Sequence, residues 1–513
     1  MKFVAASIRW REIVLRKAHA NEFSAVLFDL AGDSAQYFAG LVLIGLANTI
    51  LLPLYMRYLN PEQFGLYGLI EVTSLALILI AGLGFNTSYL KWHAEAPGGA
   101  RLFGSMAWTS VAAAGIVGTA FALFAWSAAG GRAFGGETKQ IAYLLLPLVA
   151  LEALYASFET HLRASRRPTA ISIAALIRLI AIAAFSIWLM ALRERGLAGL
   201  FEGRVLGDAC SLLAAGFYCR RDFTLRISAP TVRAMLRYGM PLVLIGLAML
   251  GLDATGRYLL DRYGSLNEVG LYTAGIKISN LMRILFVAPL GAAWGGLMFQ
   301  IAKNANARFI YSKLFGYVFL LAATVAVVIT FMTPGLFAIL AAPAYRGGMN
   351  LIPWLLLVQV LSVLQAPLAT GLYVSRATKW LIPIYVAGLA ADFAAGRALV
   401  PSHGMFGAVW AWLIGWGVIC LLLLKAGQKS YPLEFEWRPI ALAFGLCAAP
   451  PVMRRLGVMN LEARSVAMQV AGSAAVVAMA VAYIVRDVKR SRASFSGGAA
   501  AGGRMVGLAA EAD

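Results

Sequence analysis

Leu41-Val42-Leu43-Ile44-Gly45-Leu46-Ala47 leads through an apolar run into Arg57-Tyr58-Leu59-Asn60-Pro61-Glu62-Gln63-Phe64-Gly65-Leu66-Tyr67. About 200 residues later the order returns, as a shift in self-similarity this long requires of a duplicated unit. Leu242-Val243-Leu244-Ile245-Gly246-Leu247-Ala248 leads to Ser265-Leu266-Asn267-Glu268-Val269-Gly270-Leu271-Tyr272. Each copy is an apolar span, a short polar turn with an acidic residue, and Gly-Leu-Tyr opening the next span. Two matched segments in the same order at nearly the same separation read as an internal duplication.

The rest of the chain suits a bilayer. Hydrophobic residues make up 61% and charged ones 13%, with a mean hydropathy of +0.76, far from the balance of a soluble domain. The net charge of +20 invites a nucleic-acid reading, but the basic residues are scattered through short connectors instead of gathered on one surface. No nucleic-acid partner is expected. No signal peptide is evident at the start; the first residues form either an interfacial amphipathic helix or a solvated tail. Cys210, Cys219, Cys420 and Cys447 lack metal-ligand spacing, so neither disulfide nor metal is expected.

Crossing about 30 Å of hydrocarbon takes about 20 apolar residues. Reading for such segments predicts about fourteen spans, near 36–56, 65–88, 103–126, 140–160, 169–192, 199–218, 238–260, 269–298, 314–333, 350–373, 381–397, 405–424, 439–455 and 466–485. Alternate connectors then hold about 28 and about 12 of the Lys and Arg residues, which places the richer set, and both termini, in the cytoplasm. Six spans precede the basic connector after Cys219, so the second half re-enters from the same side. The halves are expected to be parallel repeats about an axis along the membrane normal.

The expected fold class is all-α integral membrane, with two parallel six-helix lobes around a central cavity and two extra C-terminal helices. The expected divisions are 1–35 cytoplasmic or interfacial, 36–218 first lobe, 219–237 basic linker, 238–424 second lobe, 425–485 last pair with its connector, and 486–513 disordered tail.

These residues also carry a family resemblance. Arg57-x-Leu59-x-Pro61-Glu62-x-Phe64-Gly65-x-Tyr67, then Gly82-Leu83-Gly84 and Lys91, resembles the opening of Wzx-type polysaccharide-transport flippases. Tyr238-Gly239-x-Pro241, Asn267-Glu268-Val269-Gly270-x-Tyr272 with Lys277, and Gly404-x-x-Gly407-Ala408 continue the likeness. The resemblance implies the multidrug/oligosaccharidyl-lipid/polysaccharide exporter fold in a bacterial inner membrane. It implies no enzyme activity and a cargo of polyprenyl-diphosphate-linked oligosaccharide, an O-antigen, exopolysaccharide or capsule unit, moved to the periplasmic leaflet. Polysaccharide polymerase or assembly proteins are the partners it would meet. Where the family often has an Asn-rich eleventh span, this chain has Asp392 and Arg397.

Ionisable residues inside spans are costly and face a cavity or one another. Arg178, Lys277 and Arg283 are the candidate ligands of the cargo diphosphate, Arg as a bidentate fork and Lys as a point charge. The competing reading is that they snorkel or pair with Glu152, Asp253 or Asp392 for structure. Asp253 and Arg257, like Arg204 and Asp208, are four apart and able to meet on one helix face. Asp253, Arg257, Glu71, Glu152 and Asp392 are the candidates for cavity charge or ion coupling. No cofactor is expected beyond a coupling proton or sodium ion. Trp294, Trp354, Trp410, Trp412 and Trp416 either stack on sugars or pack helices, and His19, His93, His161 and His403 read as surface residues.

Three rival readings stand beside this one. A drug/cation antiporter would want a net negative cavity. A membrane-embedded polymerase or glycosyltransferase would want a large extramembrane loop with paired carboxylates or histidines, and no connector is long enough. A scaffold for polysaccharide assembly would show export surviving every cavity mutation.

Overall fold

The computed structural model describes residues 51–95, 100–127, 137–224, 227–303, 307–432, 437–455 and 469–487. The N-terminal segment, most of the first expected span and the tail lie outside them. The described residues are helical apart from short turns and connectors, without strand. In order the helices are α1 Pro61–Gly82, α2 Phe85–Glu95, α3 Ala100–Trp126, α4 Glu137–Ala164, α5 Pro168–Ile187, α6 Gly196–Cys219, α7 Ala229–Tyr263, α8 Leu266–Met282, α9 Ala288–Ile301, α10 Ala307–Leu340, α11 Ile352–Val374, α12 Leu381–Ser430, α13 Trp437–Arg455 and α14 Gln469–Asp487.

Ten helices among the described residues are long and apolar enough to cross a membrane. The reading of about fourteen differs from this for identifiable reasons. Helix α6 contains Glu202, Arg204 and Asp208, too many charges for an apolar window. Helix α13 offers only a short apolar stretch, and α12 is counted once. Yet Gly404, at φ 52° and ψ −130°, divides α12. Gly396 lies beside Ala411, and Asp392 beside Gly415, so the two arms fold back on each other as a hairpin.

The duplicated turns are built alike. Asn60 caps α1: its side chain accepts from the Gln63 backbone N–H at 2.8 Å, and the Gln63 side chain accepts from the Asn60 N–H at 3.2 Å. Ser265 caps α8 by accepting from the Glu268 N–H at 3.3 Å. Both satisfy amide donors that the first helical turn leaves orphaned.

Helices α1–α6 pack mainly on one another, as do α7–α13; contact between the groups runs through α1, α2 and α3 against α7 and through α1 against α8. The equivalent glycines of the two copies meet. A methyl on Gly65 would strike the Leu266 carbonyl oxygen, and one on Gly270 the Pro61 carbonyl oxygen. Equivalent residues touching each other mark the axis relating two copies, as in an isologous interface. The Gly-Leu-Tyr turns therefore lie at the same end of the bundle. There the Tyr345 hydroxyl also donates to the Leu59 carbonyl at 2.8 Å, and the Tyr345 ring meets Phe64 edge-on. At the opposite end Gly84, at φ 68°, presses on Gly239, and the Ser88 hydroxyl donates to the Met235 carbonyl at 2.9 Å. The α1–α2 rod is thus in contact with the second group at both ends.

Candidate functional site

Between those ends, α1 and α8 carry charges to mid-membrane depth. Glu71 is ten residues into α1 and Lys277 eleven into α8, roughly 15 Å from the helix starts at 1.5 Å per residue. Lys277 Nζ donates to Glu71 Oε1 at 2.5 Å, and the Tyr67 hydroxyl donates to the same oxygen at 2.8 Å. Since Lys277 lies on the second group and Glu71 on the first, this ion pair ties the two together. The Thr73 and Tyr258 hydroxyls add a hydrogen bond at 2.7 Å across the same seam.

A second cluster joins α4, α5 and α6. Arg178 Nε donates to Asp208 Oδ1 at 2.7 Å and its Nη2 to Glu152 Oε1 at 2.6 Å. Arg204 Nη2 reaches Glu152 Oε2 at 3.4 Å. The guanidinium of Arg178 also stands 4.9 Å from the centre of the Tyr155 ring. Arg257, only 2% exposed, donates to the Asp253 carboxylate at 3.2 Å, one helical turn away.

This arrangement alters the expected chemistry in two respects. Arg178 and Lys277 are inside and deep, but each is held by carboxylates; Arg178, Arg204, Arg257 and Lys277 balance Glu71, Glu152, Asp208 and Asp253. The interior of the site is near neutral, not a bare cationic hollow. Asp253 and Arg257 meet as their spacing allows, whereas Asp208 bonds Arg178 and leaves Arg204 to Glu152. Pairing four apart on one helix lost to better geometry across helices, which sequence order does not display. Arg283 lies on a five-residue π-turn, Arg283–Val287, that interrupts the helix after α8. It is exposed, with no ion pair among the described residues.

Asp392 on α12 is 1% exposed, beside Thr255 of α7, and its Oδ2 has no hydrogen-bond partner among the described residues. Asp208 Oδ2 and Arg257 Nε are likewise unpartnered there. Buried polar atoms left this way are costly and mark places where a proton, ion or water completes the site.

Of the tryptophans, Trp294, Trp412 and Trp416 are buried, and Trp294 Nε1 donates to Thr370 Oγ1 at 2.9 Å; they pack helices. Trp354 and Trp410 form an edge-on pair at 6.2 Å. His161 corrects the surface reading of the histidines. It is 6% exposed, accepts or donates at Nδ1 with the Tyr89 hydroxyl at 2.7 Å, meets Asp222 at 3.3 Å, and stacks on Phe103 at 4.1 Å. Sequence reasoning placed it in a connector because the basic residues just after it suggested an earlier helix end.

Two clefts lie at the ends of α7. One of about 890 Å³ is lined by Trp92, Pro230, Arg233, Arg237 and Tyr238. The other, about 480 Å³, includes Tyr258, Arg262, Tyr263, Phe393 and Arg397.

Residues 33–302 match the family described as "polysaccharide biosynthesis protein". The chain belongs to that family. No curated protein matches it in sequence. The fold of this polysaccharide biosynthesis protein is similar to that of a lipid II flippase, MurJ, in an inward closed conformation, with a TM-score of 0.67 at 12% identity over 91% of this chain and 99% of that one. It is also similar to an inward-facing multidrug resistance MATE family transporter of the MOP superfamily, with a TM-score of 0.60 at 18% identity over 78% and 95% of the two chains. A MATE structure in complex with MaL6 gives 0.57 at 16% identity over 82% and 98%. Likeness at such identities is a likeness of fold, and the fold is that of multi-pass membrane transporters.

Proposed function

We propose that this protein flips a polyprenyl-diphosphate-linked oligosaccharide from the cytoplasmic to the periplasmic leaflet by alternating access. The family match points to polysaccharide assembly. The observation that carries the reading is the Lys277–Glu71 pair, a mid-membrane cation joined to its anion across the seam between the two helix groups.

A glycan has many hydroxyls, and each moved into hydrocarbon without a partner costs on the order of several kcal/mol. A wet polar interior removes most of that barrier while the prenyl tail stays in lipid. The diphosphate competes with Glu71 for Lys277 and with Glu152 and Asp208 for Arg178. Exchange of one anion for another avoids exposing a bare buried cation at any stage. Once Lys277 has changed partner, the ion pair across the seam is gone and the two groups are free to rock. Arg283, exposed and without an ion pair among the described residues, is the remaining diphosphate ligand. Asp392, with its unpartnered oxygen, is the coupling acid, taking up and releasing a proton or sodium ion. The distribution of Lys and Arg supports cytoplasmic termini, and the resemblance to polysaccharide-transport flippases supports a bacterial inner membrane.

A second reading, drug/cation antiport, is favoured by one observation: beyond the four carboxylates that balance the site's four cations, Asp392 is a further buried acid with an unpartnered oxygen. Reconstitution in liposomes separates the two. Fluorescent polyprenyl-diphosphate saccharide should change leaflets with wild-type protein and fail to do so with Lys277→Ala or Arg178→Ala, the protein remaining in the membrane. Unchanged leaflet exchange in both variants removes the assigned site. Uptake of organic cations without glycolipid exchange replaces the function.

A further inference from the structure

The cleft at the start of α7 differs from the interior clusters in one decisive way: among the described residues its arginines are not matched by acids. Arg233 and Arg237 are one turn apart on α7 and both exposed, and neither has an ion pair or side-chain hydrogen bond among the described residues. Like charges at this spacing repel by a few tenths of a kcal/mol, so the pair lowers its energy when an anion bridges it. Lys91, arriving from α2, holds its ammonium 4.5 Å from the centre of the Tyr238 ring and 4.9 Å from that of Trp92. The two rings meet edge-on at 5.7 Å. Two arginines and an aromatic pair thus line a cavity of about 890 Å³ where the first helix group meets the second, with Lys91 held against the rings. Orientation of the chain requires positive charge at this end, but does not require it to be collected around a cavity.

The surroundings specify an amphiphile. Arg233 and Arg237 lie four and eight residues into α7, about 6 and 12 Å from its start, at the end assigned to the cytoplasm. Immediately beyond them Tyr238 and Leu242, one turn apart, are exposed, as are Met240 and Leu244 on another side of α7, so the helix continues from the cleft toward mid-membrane with a broad apolar surface. Phosphate belongs at the charged end and a lipid chain on that surface, with the rings at the boundary between them.

We infer that the Arg233–Arg237 cleft, with Lys91 beside its rings, is a binding site for a phosphate-bearing lipid headgroup, separate from the Lys277 and Arg178 clusters. Two lipids share that chemistry: the diphosphate of the lipid-linked cargo, which rests on the proposed function, and an anionic phospholipid of the surrounding leaflet.

The test is equilibrium binding to the full-length chain in neutral detergent, using polyprenyl diphosphate, phosphatidylglycerol and zwitterionic phosphatidylcholine as separate probes. Arg233→Gln/Arg237→Gln is compared with wild type and with Lys425→Gln/Lys429→Gln, which removes the same charge from exposed positions on α12. Thermal unfolding checks that each variant is folded. The arginine variant should bind polyprenyl diphosphate, phosphatidylglycerol or both at least about tenfold more weakly, phosphatidylcholine equally, and the lysine variant should match wild type. Selective loss of polyprenyl diphosphate identifies the cargo as occupant, and selective loss of phosphatidylglycerol identifies the leaflet lipid. Wild-type affinity for both in the arginine variant, or an equal loss in the lysine variant, overturns the site. Because no transport is measured, a protein that flips no glycan but loses lipid binding in the arginine variant refutes the proposed function and keeps this one.

Discussion

Lys277 and Glu71 were each visible in the sequence as charges inside apolar spans; their union was not. They are 206 residues apart in the chain, and nothing in either span names the other. The same holds for Arg178, which draws Asp208 and Glu152 from two other helices. A charge in a span announces that it must be compensated, and leaves open by whom. The pairing predicts a double-mutant pattern. Lys277→Ala alone leaves Glu71 a buried carboxylate without its cation, at a cost on the order of 3 kcal/mol. Lys277→Ala/Glu71→Gln should recover most of that stability in a thermal unfolding assay while glycolipid exchange stays lost. Recovery of exchange together with stability would make the pair a structural clasp only.

At the level of helices, the duplicated turn was legible because its determinants are local. Asn60 and Ser265 cap their helices at matching positions, three residues before Gln63 and Glu268. Asn60→Ala and Ser265→Ala should each destabilise the protein by about 1 kcal/mol, measured as a lower midpoint in thermal unfolding; the Asn60 change should cost more, because its capping box is reciprocal. The Gly404 reversal was equally readable, since Gly404-x-x-Gly407 separates two apolar runs. The π-turns at Trp188–Leu192 and Arg283–Val287 left no such mark. One extra residue in a helical turn depends on what packs against it, and both segments read as ordinary apolar helix. Helix α6 shows the limit of hydropathy: its charges depress the apolar signal while their partners on neighbouring helices restore its place in the fold.

For the molecule as a whole, the parallel repeat followed from an even number of spans before the basic linker, and the contact of Gly65 with Gly270 gives it a physical axis. The sequence could not say how close the halves come, because glycine at an interface looks like glycine anywhere in a greasy chain. Under the proposed alternating access, the contacts at both ends of the α1–α2 rod must break, one set and then the other. A disulfide tests this at the end assigned to the cytoplasm, where the Ser88 side chain touches the Met235 backbone. In a background with the native cysteines replaced, Ser88→Cys/Met235→Cys protein is reconstituted and leaflet exchange of fluorescent polyprenyl-diphosphate saccharide is recorded before oxidation, after it, and after reduction. Two groups of helices that part to load an anionic lipid predict exchange that stops on cross-linking and returns on reduction; exchange that continues at the same rate with the bridge formed would contradict the account.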